Sequence, residues 1–381
     1  MTNIFLEKGT LRPKRRFIKK QTSKIDKSLL ILTAILIVLG LVFTYSASAF
    51  DTMAYFKRQL FFDIVGVIIM FILAKYYTQL QEIIKPKIVL YLTWIGLIWA
   101  LFSAETAHVH RWIHLGPINI QPSEFAKLAL IIFLSYSLSK KQNIAENPKS
   151  LIAPLILTGI TILLVVFGKD MGIPFLMFGI SLMLFFIAGT RIRDIAFVFL
   201  ITAPFGVIEC FRHPYRIKRI LTFLAPEANI ADIGYQLSHS LYAIGSGGWF
   251  GKGLGASELK LEFLPAAHTD FIFAIFCEEV GMIGAFILLG LFIWLLIRGL
   301  TIARRTENKF NSYLASGITL CLFFQAMMNM AVAGGAFPTK GIPLPFFSYG
   351  GSSVIITLAM MGILMNISGQ EKKKEISSRI K

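Results

Sequence analysis

Residues 270–297 read DFIFAIFCEEVGMIGAFILLGLFIWLLI, and after Asp270 the stretch holds only Glu278 and Glu279 as charged residues. A helix rises 1.5 Å per residue, so about twenty apolar residues reach across the ~30 Å hydrocarbon core of a bilayer. A surface helix of a soluble domain would show one polar face, whereas this one is apolar nearly all round beyond Glu279. The stretch therefore has the length and character of a membrane span.

Working outward, comparable runs lie near Ser28–Ala49, Leu60–Ala74, Ile88–Phe102, Pro122–Ser139, Leu151–Phe167, Met171–Ala188, Ile195–Cys210, Phe310–Ala333 and Ser352–Ile367, with Asp270–Ile297 eighth of the ten, between Ile195–Cys210 and Phe310–Ala333. The composition of all 381 residues agrees, with 55% hydrophobic side chains and 15% charged ones against roughly 25% charged in soluble domains. Mean hydropathy is +0.68. The expected fold is all-α, a polytopic membrane domain of about ten transmembrane helices over residues 28–367, between basic tails at 1–27 and 368–381. Two or three soluble domains, which length alone would suggest, are excluded. The basic head, apolar run and Ser46-Ala47-Ser48-Ala49 imitate a signal peptide, but the run exceeds the ~7–15 residues of such a core and reads as an uncleaved first span.

Position explains the formal charge of +17. The two tails and the loops on their side hold 26 Lys and Arg, including Lys85, Lys87, Lys140, Lys141, Arg304 and Arg305; the short loops opposite hold Lys57, Arg58, Arg111, Lys169 and Lys340 only. That asymmetry is the positive-inside pattern, so both termini should be cytoplasmic, and the basicity marks orientation rather than a nucleic-acid surface. Membrane lipids are the expected surroundings, and no nucleic-acid partner is implied. Cys210, Cys277 and Cys321 all sit in apolar stretches without paired or zinc-ligand spacing and read as small core residues.

Two connections on the side opposite the tails stand out. Residues 211–269 form a loop of about sixty residues, the longest in the chain, and long loops are where function gathers. Its first part, Phe211 to Leu224, places Arg212, Arg216 and Arg219 on one helical face and Ile217, Ile220, Leu221 and Leu224 on another, the pattern of an interfacial helix. Such arginines suit phosphate or pyrophosphate, or equally anionic lipid headgroups. The second, residues 334–351, is rich in Pro and Gly and must be a shaped re-entrant or surface loop.

Ionisable groups inside spans cost roughly 2.5–3.5 kcal/mol on insertion scales and are functional candidates. Glu124 and Lys127 are three apart at the outer end of the fourth span and share a face, which Asp170 could join. An ion-pair lock between helices and a direct substrate role both fit them. Asp63 and Glu209 are lone acids near helix ends, where local pairing or snorkelling suffices. Asp270 stands where the long loop meets the eighth span. Counting from it in helical steps gives Ala274, Cys277, Glu278, Gly281 and Ala285, a small, polar stripe that should face the bundle or a wet cavity. Phe271, Phe273 and Phe276 are left for lipid or packing. Thr269 or Asp270 could alternatively do no more than cap the helix. No ligand set for a metal is legible, and no cofactor is called for; a divalent cation, Mg or Mn, at a pyrophosphate would be chemically reasonable.

Several stretches in fixed order resemble the FtsW/RodA family of polytopic peptidoglycan glycosyltransferases, the SEDS proteins, across most of residues 28–367. They are Arg111-Trp112-Ile113 with Gln121-Pro122-Ser123-Glu124 and Lys127; Tyr215-Arg216 with Arg219; Gly234-Tyr235-Gln236 leading to Gly253-Leu254-Gly255; Leu264-Pro265 with His268-Thr269-Asp270-Phe271; Glu278-Glu279; and the Pro-rich loop ending Ser348-Tyr349-Gly350-Gly351-Ser352-Ser353. Lys260-Leu261-Glu262 and Pro338-Thr339-Lys340-Gly341 are more similar to the division-type FtsW branch than to the elongation-type RodA branch. Where the family usually has Gln-Pro-Asp-Leu-Gly-Thr and Leu-Pro-Glu, this chain has Gly168-Lys169-Asp170-Met171-Gly172-Ile173 and Leu264-Pro265-Ala266.

The resemblance implies polymerisation of lipid II into glycan strands at the outer face of the bacterial inner membrane, at the division site, in company with a single-span class B penicillin-binding protein and other division proteins. It also implies Asp270 as general base, with Arg111, Arg216, Arg219, Lys127, Glu124, Asp170, His268 and Ser352 as substrate-binding residues. A lipid II flippase or transporter, a RodA-like elongation polymerase and a non-catalytic scaffold are the competing readings. Carriers usually place polar groups at the membrane midplane, whereas here they gather in loops 103–121, 211–269 and 334–351.

Overall fold

The computed structural model describes residues 25–48, 53–103, 111–116, 118–141, 144, 146–212, 214–224, 233–258 and 269–379. Among them are twelve α-helices: α1 (Lys27–Ser48), α2 (Met53–Ile83), α3 (Pro86–Phe102), α4 (Pro122–Ser139), α5 (Ile152–Phe167), α6 (Gly172–Ile187), α7 (Ile192–Phe211), α8 (Pro214–Leu224), α9 (Ile233–Ser246), α10 (Ile272–Arg305), α11 (Lys309–Ala333) and α12 (Gly351–Arg379). Each of the ten expected spans falls on one of these helices. Seven stretches are long and apolar enough to cross a membrane: α1, α2, α5 together with the 3-10 turn before it (Pro148–Phe167), α7, α10, α11 and α12. The apolar helices α3 and α6 are shorter, at 17 and 16 residues, and α4 carries Glu124 and Lys127.

Three features depart from expectation. The all-α description needs one addition, an antiparallel hairpin of β1 (Ile113–Leu115) and β2 (Ile118–Ile120) that turns at Gly116 with φ +63°. The long loop contains α9 as well as the expected interfacial helix α8. The eighth span begins at Ile272 rather than at Asp270, and neither Thr269 nor Asp270 caps it: the N-cap position is Phe271, without a side-chain cap bond.

Packing follows the small residues, as it must where lipid is as apolar as Leu. An added Cβ on Gly362 of α12 would lie 2.4 Å from the Met70 carbonyl of α2, and one on Gly299 of α10 would lie 2.0 Å from Thr319 Oγ1 of α11. The centre of the bundle is α11, where Leu314, Ala315, Ile318 and Cys321 are fully buried. Cys277 is buried likewise, while Cys210 is only partly so, and all three cysteines are free thiols. At the rim, none of α7 is buried, and Phe197, Leu200 and Phe205 are more than 60% exposed, a face that only lipid or a protein partner can cover.

The stripe expected on α10 is buried throughout, from Ala274 to Ala285, and Phe271 and Phe276 pack inside rather than against lipid. The helix is not continuous, however. Gly281 has φ +78° and ψ −174°, far from helical. The amides of Met282 and Ile283, which would bond the carbonyls of Glu278 and Glu279 four residues back, instead bond the carbonyls of Gly248 and Trp249. Those two vacated carbonyls accept from the amides of Lys252 and Gly253. A glycine-rich segment thus threads the break, replacing two helical bonds by four and giving partners to both amides and both carbonyls that lost them, as a low-dielectric setting demands. Only glycine permits this approach: a Cβ on Gly251 would meet the Glu279 carbonyl at 2.2 Å, and one on Gly281 the Gly251 amide at 2.4 Å.

The Pro-rich connection between α11 and α12 is re-entrant. Thr339, Ile342, Leu344, Phe346, Phe347 and Ser348 are all buried. Its turn presses on the middle of α1, where a Cβ on Gly40 would fall 2.0 Å from the Phe346 carbonyl, and Thr44 donates its hydroxyl to the Phe347 carbonyl at 3.1 Å. Phe346 adopts φ +71°, costly for an aromatic residue and held by burial on every side.

Candidate active site

Asp270 lies in the turn before α10, against the Pro-rich loop: an added Cβ on Gly341 would sit 3.0 Å from Asp270 Oδ2. Its backbone is fixed by α11, where Asn329 Nδ2 donates to the Asp270 carbonyl at 2.9 Å and to the Ile342 carbonyl at 2.8 Å. Ser348 completes the tie, donating to the Thr269 carbonyl at 2.5 Å and accepting from the Leu344 amide at 2.7 Å. Two loops and a helix therefore hold one carboxylate by its main chain and leave its oxygens for other work.

Burial pushes the Asp270 carboxyl up to about 6, opposed by the positive charges of Arg219 and Arg111 and reinforced by the negative charge of Asp170. Those groups come from four elements. Arg219 of α8 donates to the Thr339 carbonyl at 2.9 Å, anchoring the interfacial helix to the Pro-rich loop. Arg111 precedes the β-hairpin, donates to the Lys169 carbonyl at 2.6 Å and stands 3.8 Å from Asp170 Oδ2. Asp170, one residue before the Met171 N-cap position of α6, uses Oδ1 to accept the amides of Gly172 and Ile173. Lys340 lies over the rings of Phe175 and Phe337, at 5.0 and 5.4 Å. Burial lowers its pKa, opposed by the fields of Cys210 and Asp170 and assisted by Arg219 and Arg216. Two acids and a ring of cations share one end of the bundle.

The other expected residues separate from this centre. Glu124 and Lys127 form the expected pair at 2.8 Å, 1% and 3% exposed, but Asp170 does not join them because Arg111 and the α6 amides take it. Lys127 instead bonds Gln325 Oε1 at 2.6 Å, and Gln325 donates to the Pro343 carbonyl, so the pair reaches the Pro-rich loop at second hand. Arg216 is engaged by Glu209, at 2.8 Å side chain to side chain and 2.7 Å to the carbonyl. Arg212 lies 3.6 Å from the same acid, so Glu209 is locally paired. Ser352 accepts from the Gln121 amide at 3.0 Å and lies 3.4 Å from the Asn119 carbonyl, joining α12 to the hairpin. Asp63 of α2 is buried, with Gln59 of the same helix nearby. His268 lies outside the described residues.

Sequence reasoning missed Gln325, Asn329, Ser348 and Lys340 as site residues. Gln325 and Asn329, four apart in an apolar helix, were a readable signal of a polar face in a membrane. Among the described residues, no group of three or more His, Cys, Asp or Glu is arranged to hold a metal ion.

The profile of the FtsW/RodA/SpoVE family, described as "Cell cycle protein", matches residues 27–373. The chain belongs to this family. It is 38% identical to "Probable peptidoglycan glycosyltransferase FtsW" of Trichlorobacter lovleyi, over 93% of this chain and 96% of that one. It is 40% identical to "Stage V sporulation protein E" of Bacillus subtilis, over 92% of this chain and 98% of that one. Among solved structures it superposes on a chain of a peptidoglycan synthase complex with a TM-score of 0.77 and 26% identity, covering 91% of this chain and 98% of that one. The rod shape determining protein RodA of Thermus thermophilus matches with a TM-score of 0.67 and 26% identity, over 90% and 96% of the two chains. The chain is thus a multi-pass membrane protein of the peptidoglycan glycosyltransferase class.

Proposed function

We propose that this FtsW/RodA-family glycosyltransferase polymerises lipid II into glycan strands at the outer face of the bacterial inner membrane, with Asp270 as the general base. The observation that carries the reading is the setting of Asp270: a carboxylate held by its main chain at the head of α10, with its pKa raised to about 6 and with Arg219 and Arg111 close enough to oppose that rise. A base is most useful when its pKa lies near the working pH. Asp270 removes the proton of an acceptor sugar 4-hydroxyl as that oxygen attacks the donor anomeric carbon, and the bond to the lipid pyrophosphate breaks. Inverting transfer needs one base and a stabilised leaving group, and no second catalytic carboxylate.

The leaving pyrophosphate carries the charge that develops, and Arg219, Arg111 and Lys340 are the cations placed to meet it. A divalent cation would fit this donor set poorly, since Asp170 and Asp270 are interleaved with those three positive groups, so no step is routed through a metal. Arg216 contributes by holding α8 to Glu209, and Glu124 with Lys127 by holding α4 to α11. The basic tails and the basic loops on their side support a cytoplasmic location for both termini. The similarity to division-type relatives supports a place in septal synthesis beside a class B penicillin-binding protein and other division proteins.

Purified protein, alone and with the partner transpeptidase, is expected to polymerise lipid II, and Asp270→Asn to abolish it while leaving a folded bundle. Near-normal polymerisation by Asp270→Asn would remove the base from Asp270.

A further inference from the structure

The glycine-rich segment that threads the break in α10 is fastened by one side chain. Glu278, 2% exposed, accepts from Lys252 Nζ at 2.9 Å and from Ser257 Oγ at 2.5 Å. It also accepts from the Glu258 amide at 3.2 Å and lies 3.5 Å from Ser246 Oγ. The clasp therefore covers both ends of segment 246–258, from the last residue of α9 to the start of the ten-residue stretch that returns to Thr269. Next to it, Glu279 accepts from Ser46 of α1 at 2.6 Å, so both acids spend their charge inside the protein.

Without the break, Glu278 would be a buried acid on an apolar helix. With it, the first nine residues of α10 (Ile272–Val280) are a short rod whose far end is jointed at Gly281 and whose near end carries Asp270. A two-turn helix cut from its own continuation has no hydrogen-bonded reason to keep one direction. The Asn329 and Ser348 bonds tie its near end, and its far end is set by what crosses the joint, namely four backbone bonds to the glycine-rich segment and the Glu278 carboxylate that keeps the segment seated.

Resting on the reading of Asp270 as base, we propose that Glu278 is a positioning residue: with Lys252 and Ser257 it clamps the glycine-rich segment into the α10 break and so fixes Asp270 against the Pro-rich loop. It touches no substrate. The segment presents Trp249, Phe250 and Leu254 outward, all more than 60% exposed, so whatever presses on those side chains, bilayer or protein, is coupled to the Asp270 end through the same clamp.

The test uses full-length protein in detergent: wild type, Lys252→Ala, Glu278→Gln and Glu278→Asp. Amide hydrogen exchange is read at residues 247–253, at 282–283 and at 269–276. In Lys252→Ala and Glu278→Gln, exchange at all three sites should quicken about tenfold while α4 and α11 keep wild-type protection, because local opening is independent of the rest of the bundle. Polymerisation should lose about tenfold in kcat with KM for lipid II within about twofold, the signature of a misplaced base rather than lost binding. Glu278→Asp, which keeps the charge, should recover part of both. Wild-type exchange at 269–276, loss of protection throughout the bundle, or a raised KM at constant kcat would each overturn the proposal. If Asp270→Asn polymerises at the wild-type rate, the base assignment fails by itself, and the exchange pattern still decides whether the clamp exists.

Discussion

Asp270 shows what one residue owes to its surroundings. Burial raises its pKa and Arg219 and Arg111 restrain the rise, so the carboxylate is the ionised, proton-accepting form above a pH of about 6 and is lost as base below it. The polymerisation rate should therefore climb through an acid limb centred near pH 6. Arg219→Ala removes an effect that lowers the pKa, so its limb should move to higher pH, and its plateau rate should fall as well if Arg219 also meets the leaving group. A pH profile of kcat for the two proteins reads both effects; an unmoved limb in Arg219→Ala would break the electrostatic link. The sequence singled out Asp270 by its position where the long loop meets an apolar span, but left capping open as its use, and the role of base came from the family resemblance. Its helix-cap alternative fails on geometry, since Phe271 rather than Asp270 holds the cap position. What could not be read was the choice of partners. Beyond the Glu124–Lys127 pair, which the three-residue spacing gave, Glu209 and Asp170 each had several cations within reach, and only the fold assigns Arg216 to the first and Arg111 to the second.

At the scale of elements, hydropathy located every long helix, because a bilayer leaves the backbone no alternative to internal hydrogen bonding. It was silent on how a helix is interrupted. Gly281 sits in a run that reads as uniform, and glycine is common in membrane helices as a contact residue, so its φ of +78° had no local signature. The counterpart glycines 247, 251 and 253 lie about thirty residues before it, a separation from which no spacing rule pairs them with Gly281. Gly281→Ala should thus be among the most damaging single-methyl additions in the chain. The new Cβ would meet backbone atoms at 2.4 and 2.5 Å, and the left-handed conformation adds a strain of ~1–3 kcal/mol. Thermal unfolding of the purified variant should fall by several degrees with loss of polymerisation; a wild-type melting curve would show that the break relaxes freely. The re-entrant loop was half legible: three prolines and three glycines within residues 338–353 ruled out a helix, while its burial under α1 at Gly40 was not foreseeable from spacing.

For the whole molecule, the question is what holds the end of the bundle that carries Asp270 in one arrangement when lipid offers helices no hydrophobic reason to associate. Close glycine contacts supply part of the answer. The Glu124–Lys127 pair supplies another, because Lys127 reaches across to Gln325 of α11, which in turn holds the Pro343 carbonyl of the loop beneath Asp270. This gives the pair a structural duty that the sequence left balanced against a role in binding substrate. The two duties predict different mutant behaviour. Removing one member leaves the other as a buried, uncompensated charge, a loss of roughly 3–5 kcal/mol in comparable buried pairs. Lys127→Met or Glu124→Gln alone should therefore lower the unfolding temperature and the polymerisation rate together. Exchanging the charges, with Glu124→Lys and Lys127→Glu in one chain, keeps the internal neutralisation on the same helical face at three-residue spacing, although the Gln325 amide must turn to donate rather than accept. Stability should then return toward wild type with a partial return of activity. Were Lys127 instead meeting the substrate pyrophosphate directly, the exchanged chain would be stable and inactive, since a carboxylate in that place would repel the leaving group. Measuring unfolding and lipid II polymerisation on the same preparations separates a lock between α4, α11 and the loop from a charge presented to substrate.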